Sequence, residues 1–119
     1  MGKVALVTGG TRGIGAAIST GLRDAGYTVA ANYAGNDAAA AAFKTETGIA
    51  VYKFDVGDFD ACAAAIAQIE ADLGPVEVVV NNAGITKDGF LHKMTPQQWR
   101  EVVRVDLDSC FNTVRPVIE

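Results

Sequence analysis

The sequence predicts an α/β fold: a doubly wound, Rossmann-like parallel sheet of four strands with four helices on its two faces. Two observations lead to this prediction. Short apolar runs alternate with helical patterns four times along the 119 residues, and the connections between them are short, as in parallel strands joined by right-handed crossovers. A glycine-rich turn directly follows the first strand. The predicted strand order is 3-2-1-4, and residues 1–119 are expected to form part of one domain.

The predicted strands share β-branched and apolar residues bounded by glycine, proline or polar side chains. They are Lys3–Thr8, Thr28–Tyr33, Ile49–Asp55 and Val76–Val80. The last strand contains three consecutive valines without alternation, a pattern typical of a strand that is buried on both faces.

The first three predicted helices each end at a glycine, which is the residue most often found just beyond a helix C-terminus. These glycines are Gly26, Gly48 and Gly74. Asp58 is a suitable N-cap for the third helix. An apolar stripe on that helix comprises Cys62, Ile66, Ile69 and Leu73. Its spacing predicts that one face of the helix packs on the sheet.

The fourth helix is predicted to begin at a capping box, with Thr95 as N-cap, Pro96 in the first turn and Gln98 as the reciprocal partner. A long helical pattern follows. Its apolar side is predicted to carry Trp99, Val103, Cys110 and Val114.

Composition excludes several classes of protein. The net charge is −4 and the basic residues are scattered, which argues against a nucleic-acid surface. No apolar run approaches the ~18 residues of a membrane span, and the opening apolar run is too short for a signal peptide. Two distant cysteines and one histidine make a metal site improbable. The cysteines are expected to be buried thiols in a reducing compartment, so a cytoplasmic location is expected.

The turn after the first strand reads Thr8-Gly9-Gly10-Thr11-Arg12-Gly13-Ile14-Gly15, with the spacing G-x-x-x-G-x-G. One glycine can make the turn, a second can let backbone approach a phosphate, and a third can let helix and strand pack closely. The helix that begins here would present free N–H groups and a positive dipole end to a pyrophosphate. A tight turn without a ligand is the alternative interpretation.

A second distinctive turn, Asn81-Asn82-Ala83-Gly84, follows the fourth strand. Doubly wound sheets bind ligands beyond the carboxyl ends of their strands, where the strand order reverses. In the order 3-2-1-4 that reversal lies between strands one and four. The two turns are therefore expected to meet at one nucleotide-binding cleft.

The end of the second strand indicates the cofactor. An acidic side chain there would bind the ribose 2′-hydroxyl of NAD, but this chain has Asn32 and Tyr33. Asp37 comes later and is expected to cap the following helix. Arg12 could pair with a 2′-phosphate in a bidentate manner, so the sequence favours NADP(H), with a solvated Arg12 as the alternative.

The pattern Thr8-Gly9-(x)3-Gly13-x-Gly15, followed by Asn81-Asn82-Ala83-Gly84, resembles the short-chain dehydrogenase/reductases. The stretch from Asn82 to Asp88, with Leu91-His92-Lys93-Met94 and Trp99, is similar to that of NADPH-dependent acetoacetyl-CoA reductases. The 3-oxoacyl-carrier-protein reductases share much of this stretch. The segments from Val105 to Asn112 and from Arg115 to Ile118 favour the former group. The resemblance covers the whole chain but only the first half of a family member, so a truncated half of the family fold is expected.

The resemblance implies a set of cofactor contacts along the cleft. These residues are Gly9, Thr11, Arg12, Gly13, Ile14, Gly15, Asn32, Tyr33, Ala34, Asp55, Val56, Asn82, Ala83, Gly84, Ile85 and Thr86. Within this set, Asp55 would accept a hydrogen bond from the exocyclic amine of adenine. Asp88 matches a position that contacts the acyl-CoA substrate, although an ordinary loop carboxylate is the alternative.

Two departures from the family pattern concern catalysis. The family's catalytic Ser and Tyr-x-x-x-Lys have no counterpart, because Tyr27, Tyr33 and Tyr52 each lack a lysine four residues later. The isolated chain is therefore expected to be inactive. Asp106 stands where the family often has a catalytic asparagine that binds a relay water. An ionised aspartate accepts but cannot donate a hydrogen bond, so its catalytic role is an open question.

The function implied is the cofactor-binding part of a reductase of 3-oxoacyl thioesters, with acyl-CoA or acyl-carrier-protein substrates. A homo-oligomer is expected, through the long C-terminal helix or through the edge of the fourth strand. A non-catalytic nucleotide-binding or assembly module is the alternative. A flavodoxin-like FMN site is disfavoured, because the first turn lacks a Ser/Thr-rich phosphate cradle.

Overall fold

The computed structural model describes residues 2–83 and 95–118, apart from the side chain of Asp106. In the first range the elements are β1 (Val4–Val7), α1 (Gly13–Asp24), β2 (Thr28–Tyr33), α2 (Asp37–Thr47), β3 (Ala50–Lys53), α3 (Phe59–Leu73) and β4 (Val76–Val80). In the second range they are α4 (Pro96–Val103), a π-helical segment (Arg104–Asp108) and α5 (Ser109–Ile118).

The four strands form one parallel sheet in the order β3-β2-β1-β4, as predicted. β1 pairs with β2 from Val4 opposite Thr28 onward, and with β4 after an irregularity between Val4 and Ala5. Because all four strands run in the same direction, their carboxyl ends meet at one edge of the sheet. The glycine turn and the described part of the second turn, Asn81 to Ala83, lie at that edge.

Helices cover both faces of the sheet. On one face, Phe43 of α2 joins a buried cluster with Val7, Val29, Ala31 and Ile49, and Ile18 and Leu22 of α1 pack against it. On the other face, α3 and the helical C-terminal range cover a second buried cluster. Its members include Leu6, Phe54, Cys62, Ile66, Ile69 and Val105. Each large aliphatic side chain buried this way contributes roughly 1.5–3 kcal/mol.

The predicted helix ends are confirmed in most cases. Asp58 accepts a hydrogen bond from the Ala61 N–H at 3.0 Å, and Thr95 and Gln98 form the reciprocal capping box. The prediction for Asp37 was wrong. Asn36 caps α2 by accepting from Ala39 N–H at 2.9 Å, while Asp37 is the first helical residue and lies 3.2 Å from the Lys53 ammonium.

The apolar side predicted for the long helix was wrong in part. Trp99 and Cys110 are exposed, and the buried positions of the π-helical segment and α5 are Val105, Ser109, Asn112 and Thr113. Trp99 belongs to α4, in which no residue is buried. For Cys110 the cause is the π-helical segment between α4 and α5, which contains more residues per turn than an α-helix. It therefore shifts the face that α5 presents to α3.

Two expectations about burial also need correction. Cys62 is buried but Cys110 is exposed, so only one of the two thiols lies in the core. Val78, Val79 and Val80 are half-buried rather than buried on both faces. The reason is that, in the described sheet, β4 is an end strand with β1 as its neighbour.

Within residues 2–83 and 95–118, no helix is long and apolar enough to cross a membrane. Among the same residues, no group of three or more histidine, cysteine, aspartate or glutamate side chains is arranged to hold a metal ion.

Candidate functional site

A cavity of about 570 Å³ lies at the carboxyl edge of the sheet. Its lining comes from the ends of all four strands and from one side of the C-terminal helical range. The lining residues are Gly9, Thr11, Arg12, Asn32, Tyr33, Ala34, Gly35, Asn36, Phe54, Asp55, Val56, Asn82, Ala83, Glu101, Arg104 and Val105. The cleft therefore lies where the strand order predicts a ligand site.

The first turn folds back tightly onto the helix that it precedes. A Cβ atom on Gly15 would collide with the carbonyl oxygen of Gly9, so only glycine fits this position without a shift of backbone. Gly13 has φ +54° and nothing within 4 Å of where its Cβ would be. The turn thus combines close helix–strand packing with an open approach to backbone, the two properties that a phosphate-binding turn needs.

The N-terminus of α1 has no side-chain cap. Its N-cap residue, Arg12, makes no capping hydrogen bond, and its first turn contains no acidic residue. By contrast, α2, α3 and α4 are capped by Asn36, Asp58 and Thr95. The N–H groups and the positive dipole end of α1 therefore remain available to an anion at the mouth of the first turn.

Thr8 joins the two turns that the sequence singled out. Its hydroxyl oxygen accepts hydrogen bonds from the backbone N–H groups of Asn82 and Ala83, each at 2.9 Å. The side-chain amide of Asn82 donates to the Gly9 carbonyl at 3.2 Å. The expected convergence of the glycine turn and the start of the Asn81–Gly84 turn is thus confirmed for the described residues. Thr8 opens the glycine-turn pattern, but the sequence indicated no role for its side chain; its place at the end of β1 was the available signal.

Asn32 is a buried brace between three segments of the cleft. Its Oδ1 accepts from Gly9 N–H at 3.1 Å, and its Nδ2 donates to the Phe54 carbonyl at 2.9 Å. Only 2% of the residue is exposed. Asn32 lines the cleft, and its amide is occupied in holding the first turn against the end of β3.

Asp55 follows β3 and is held at both carboxylate oxygens. Oδ1 accepts from Gly57 N–H at 2.8 Å, and Oδ2 accepts from Nη1 of Arg104 at 2.8 Å. Partial burial acts to raise the pKa of this carboxyl, but the Gly57 hydrogen bond and the Arg104 guanidinium outweigh it and bring the pKa below its usual value. Asp55 is therefore an ionised acceptor at neutral pH.

The backbone around Asp55 and Val56 is supported from beneath by two buried side chains. Asn112 of α5 donates to the Val56 carbonyl at 3.0 Å, and the Cys62 thiol donates to the same oxygen at 3.6 Å. Burial, followed by the nearby carboxylates of Asp55 and Asp58, raises the pKa of Cys62 to about 11. Cys62 thus remains a protonated donor near neutral pH rather than a reactive thiolate.

The sequence did not predict the wall formed by Glu101, Arg104 and Val105. Arg104 donates to Glu101 at 2.7 Å and to Asp55 at 2.8 Å, and these hydrogen bonds raise its pKa further above its ordinary value. The i,i+3 spacing of Glu101 and Arg104 on a helix was a signal for their pairing. Arg104 and Asp55 are 49 positions apart in the sequence, so no local spacing indicated their contact.

The remaining predicted residues differ in what the structure describes. Gly13, Ile14 and Gly15 form the start of α1, beside the cavity lining, and Ile14 is exposed. Asp106 lies in the π-helical segment, but its side chain is outside the description. Gly84, Ile85, Thr86 and the proposed substrate residue Asp88 lie outside the described residues altogether.

Comparison with known proteins agrees with this geometry. The acetoacetyl-CoA reductase of Paracoccus denitrificans is 67% identical over 117 residues, covering 98% of this chain and 48% of that protein. A 3-oxoacyl-acyl-carrier-protein reductase of Staphylococcus aureus is 40% identical over 120 residues, covering 97% of this chain and 49% of that protein. The chain thus spans about half the length of the curated relatives it matches.

A solved structure shows the same architecture. The blue fluorescent protein from a metagenomic library, in complex with NADPH, superposes with a TM-score of 0.90 at 34% identity, covering 98% of this chain and 50% of that one. The family model described as short chain dehydrogenase matches residues 3–119. With the parallel sheet, the glycine turn and the Asn82 turn in one cleft, these matches show that the chain belongs to the short-chain dehydrogenase family.

Proposed function

We propose that this chain is the cofactor-binding part of one domain of an NADPH-dependent reductase, which converts acetoacetyl-CoA to 3-hydroxybutyryl-CoA. The observation that carries the proposal is the convergence of the uncapped α1 N-terminus and the Asn82 turn on a single cleft. Three acetoacetyl-CoA reductases at 61–67% identity support the substrate class, while the named carrier-protein reductase at 40% identity is more distant.

The residues of the cleft fit a nicotinamide dinucleotide. The α1 N-terminus would hold the pyrophosphate, Asp55 and Val56 would contact adenine, and Asn82 and Ala83 would lie along the nicotinamide side. Gly84, Ile85 and Thr86 are assigned to that side as well. When bound, the reduced nicotinamide supplies the hydride for a carbonyl carbon.

Proton delivery to the carbonyl oxygen requires groups beyond this cleft. No tyrosine of the 119 residues is followed by a lysine four positions later. We assign Asp106, within the π-helical segment, to the acceptance of a hydrogen bond from a water molecule, because an ionised carboxylate cannot donate one. A π-helical turn inside an α-helix is frequent at functional sites.

We also propose self-association through the C-terminal helical range. Leu107, Phe111 and Ile118 are each more than 60% exposed, and Phe111 stacks on Phe59 with ring centroids 5.7 Å apart. Exposed apolar side chains grouped on one helix are typical of an interface. This surface favours the C-terminal helical range over the edge of β4 as the site of contact between two copies of the chain.

The proposed reaction is tested by following NADPH absorbance with acetoacetyl-CoA. By the intact protein we mean the complete reductase of which this chain is proposed to be a part. We expect it to oxidise NADPH only when the thioester is present, and to prefer the CoA ester over the corresponding carrier-protein ester. The 119 residues alone are expected to give no turnover, because they lack the tyrosine–lysine pair. Oxidation by the 119 residues alone would show that this pair is not required, and nucleotide binding without turnover by the intact protein would favour a binding module.

The preference for NADPH is tested by replacing Arg12 with alanine. Arg12 lines the cleft near Tyr33 and Ala34, and it forms no ion pair within the described residues. Loss of a charged hydrogen bond to the 2′-phosphate should weaken NADPH binding by about 10–100-fold and leave NADH binding unchanged. Titration of both nucleotides by fluorescence measures this change.

Arg23→Ala is the matched control for Arg12→Ala, because it removes the same charge from the other end of α1. The Arg23 guanidinium lies 2.8 Å from Asp24 and away from the cleft lining. We expect its affinity for NADPH to equal that of the wild type. Equal losses in the two variants, or unchanged NADPH affinity in Arg12→Ala, would contradict the assigned role of Arg12.

A further inference from the structure

Glu101, Arg104 and Asp55 form a chain of ion pairs that we name the clasp. The guanidinium of Arg104 lies 2.7 Å from a Glu101 oxygen and 2.8 Å from Asp55 Oδ2. The clasp therefore joins the start of the π-helical segment to the loop after β3. All three residues line the same cleft.

The local backbone makes room for this contact. A Cβ atom on Gly57 would collide with Nη1 of Arg104, so the guanidinium lies directly against the Gly57 backbone. The N–H of the same glycine donates to the other oxygen of Asp55. Arg104 and Gly57 thus hold the Asp55 carboxylate from two directions, which fixes both its position and its rotation.

The exposure of these ion pairs indicates that the clasp orients the Asp55 carboxylate rather than stabilising the fold. The side chains of Arg104, Asp55 and Glu101 are 37%, 51% and 41% exposed, and ion pairs this accessible to water contribute little to folding. Each carboxylate oxygen of Asp55 accepts one described hydrogen bond and retains a second acceptor site. The clasp leaves Asp55 able to accept from a ligand while restricting its direction.

We propose that Arg104 is a positioning residue for adenine recognition, which acts by aiming the Asp55 carboxylate at the exocyclic amine of the bound nucleotide. This inference rests on the proposed function, because it requires the adenine end of NADPH to lie at Asp55. Since Arg104 is also the first residue of the π-helical segment, the same contact fixes that segment relative to the adenine end of the cleft.

The experiment compares NADPH with its hypoxanthine analogue, in which a carbonyl oxygen replaces the adenine amine. Dissociation constants for both nucleotides are measured on the intact protein as wild type, Arg104→Ala and Arg104→Lys. A hydrogen bond to a charged acceptor corresponds to roughly a 10-fold preference for NADPH in the wild type. We expect Arg104→Ala to reduce this preference to about 2-fold or less, and Arg104→Lys, which keeps the charge without the planar fork, to be intermediate.

Arg100→Ala is the matched control, because Arg100 is an exposed arginine of α4 one turn before Arg104 and outside the cleft lining. It should keep the wild-type preference. Reductase kinetics give a second readout: Arg104→Ala should raise KM for NADPH by a larger factor than it lowers kcat at saturating NADPH. Thermal unfolding should be nearly the same in all variants, as expected for exposed ion pairs.

The outcomes separate this inference from the function on which it rests. Failure of the wild type to bind NADPH would overturn the proposed function and the inference together. Binding of NADPH with an undiminished adenine preference in Arg104→Ala would overturn the inference alone. Equal affinity of the wild type for NADPH and its hypoxanthine analogue would also overturn the inference alone, since Asp55 would then not recognise the amine.

Discussion

Replacing Gly15 with alanine is expected to abolish nucleotide binding and to destabilise the fold. The added methyl group would overlap the carbonyl oxygen of Gly9 and would also crowd the side-chain amide of Asn82. The overlap with Gly9 is with backbone, so no side-chain rotation can relieve it. Overpacking of this kind costs about 1–3 kcal/mol. Relief of the overlap moves the first turn away from α1, so the N–H groups that face the pyrophosphate lose their alignment. We expect NADPH affinity to fall by at least about 100-fold, which corresponds to ~2.8 kcal/mol.

Gly21→Ala is the control for this experiment because it makes the same chemical change in the same helix. Gly21 lies in the interior of α1 and is exposed, and nothing lies within 4 Å of the position of its Cβ. Alanine at an exposed helix interior stabilises by about 0.5–1 kcal/mol relative to glycine. Urea denaturation of the intact protein should therefore show a loss of stability in Gly15→Ala and a gain in Gly21→Ala. NADPH titration should show a large loss of affinity in Gly15→Ala and wild-type affinity in Gly21→Ala. Similar values for both variants would contradict a steric role for Gly15.

The sheet and the helix ends were predictable because their signals are local. Gly26 and Gly48 have positive φ at the ends of α1 and α2, and Asp58 and Thr95 cap α3 and α4. Short apolar runs separated by helices dictate parallel strands, and parallel strands dictate that their turns share one edge. The position of the cleft followed from these local rules without knowledge of any tertiary contact.

The walls of the cleft were less predictable because they depend on contacts between distant residues. The π-helical segment changes which residues of α5 face α3, so Cys110 is exposed where a regular helical period placed it on the apolar side. The pairing of Arg104 with Asp55 depends on that same geometry. Periodicity describes one helix at a time and contains no information about such a partner.

Asn32 illustrates a third limit of sequence reasoning. The end of β2 is where many dinucleotide-binding sheets place an acidic residue toward the ribose, and an asparagine there is naturally interpreted in terms of cofactor choice. In this structure its amide points to Gly9 and Phe54 instead. The identity of this residue is therefore explained by the need for one acceptor and one donor in a buried position, which an uncharged amide supplies and an ionised carboxylate does not.

Asn32→Asp is therefore expected to destabilise the protein in a pH-dependent manner. The new carboxyl can still accept from Gly9 N–H, but once ionised it opposes the Phe54 carbonyl in a position that is 2% exposed. Burial raises the pKa of such a carboxyl in the folded state above the unfolded value of about 3.9. Stability is thus retained below about pH 4 and lost as pH rises through the folded pKa, at up to ~1.4 kcal/mol per pH unit within that window.

Asn36→Asp provides the comparison, since it makes the same substitution at an exposed N-cap where aspartate serves as well as asparagine. Urea denaturation of the wild type and both variants at pH 5 and pH 8 measures the difference. The gap between wild type and Asn32→Asp should widen by roughly 2–4 kcal/mol between these pH values, while Asn36→Asp should stay within about 0.5 kcal/mol of wild type. The two variants carry equal net charge. If the stability difference from wild type grows with pH only in Asn32→Asp, its cause therefore lies in the contacts of residue 32 with Gly9 and Phe54. Parallel pH profiles for the two variants would mean that the Asn32 amide does not hold this edge of the cleft together.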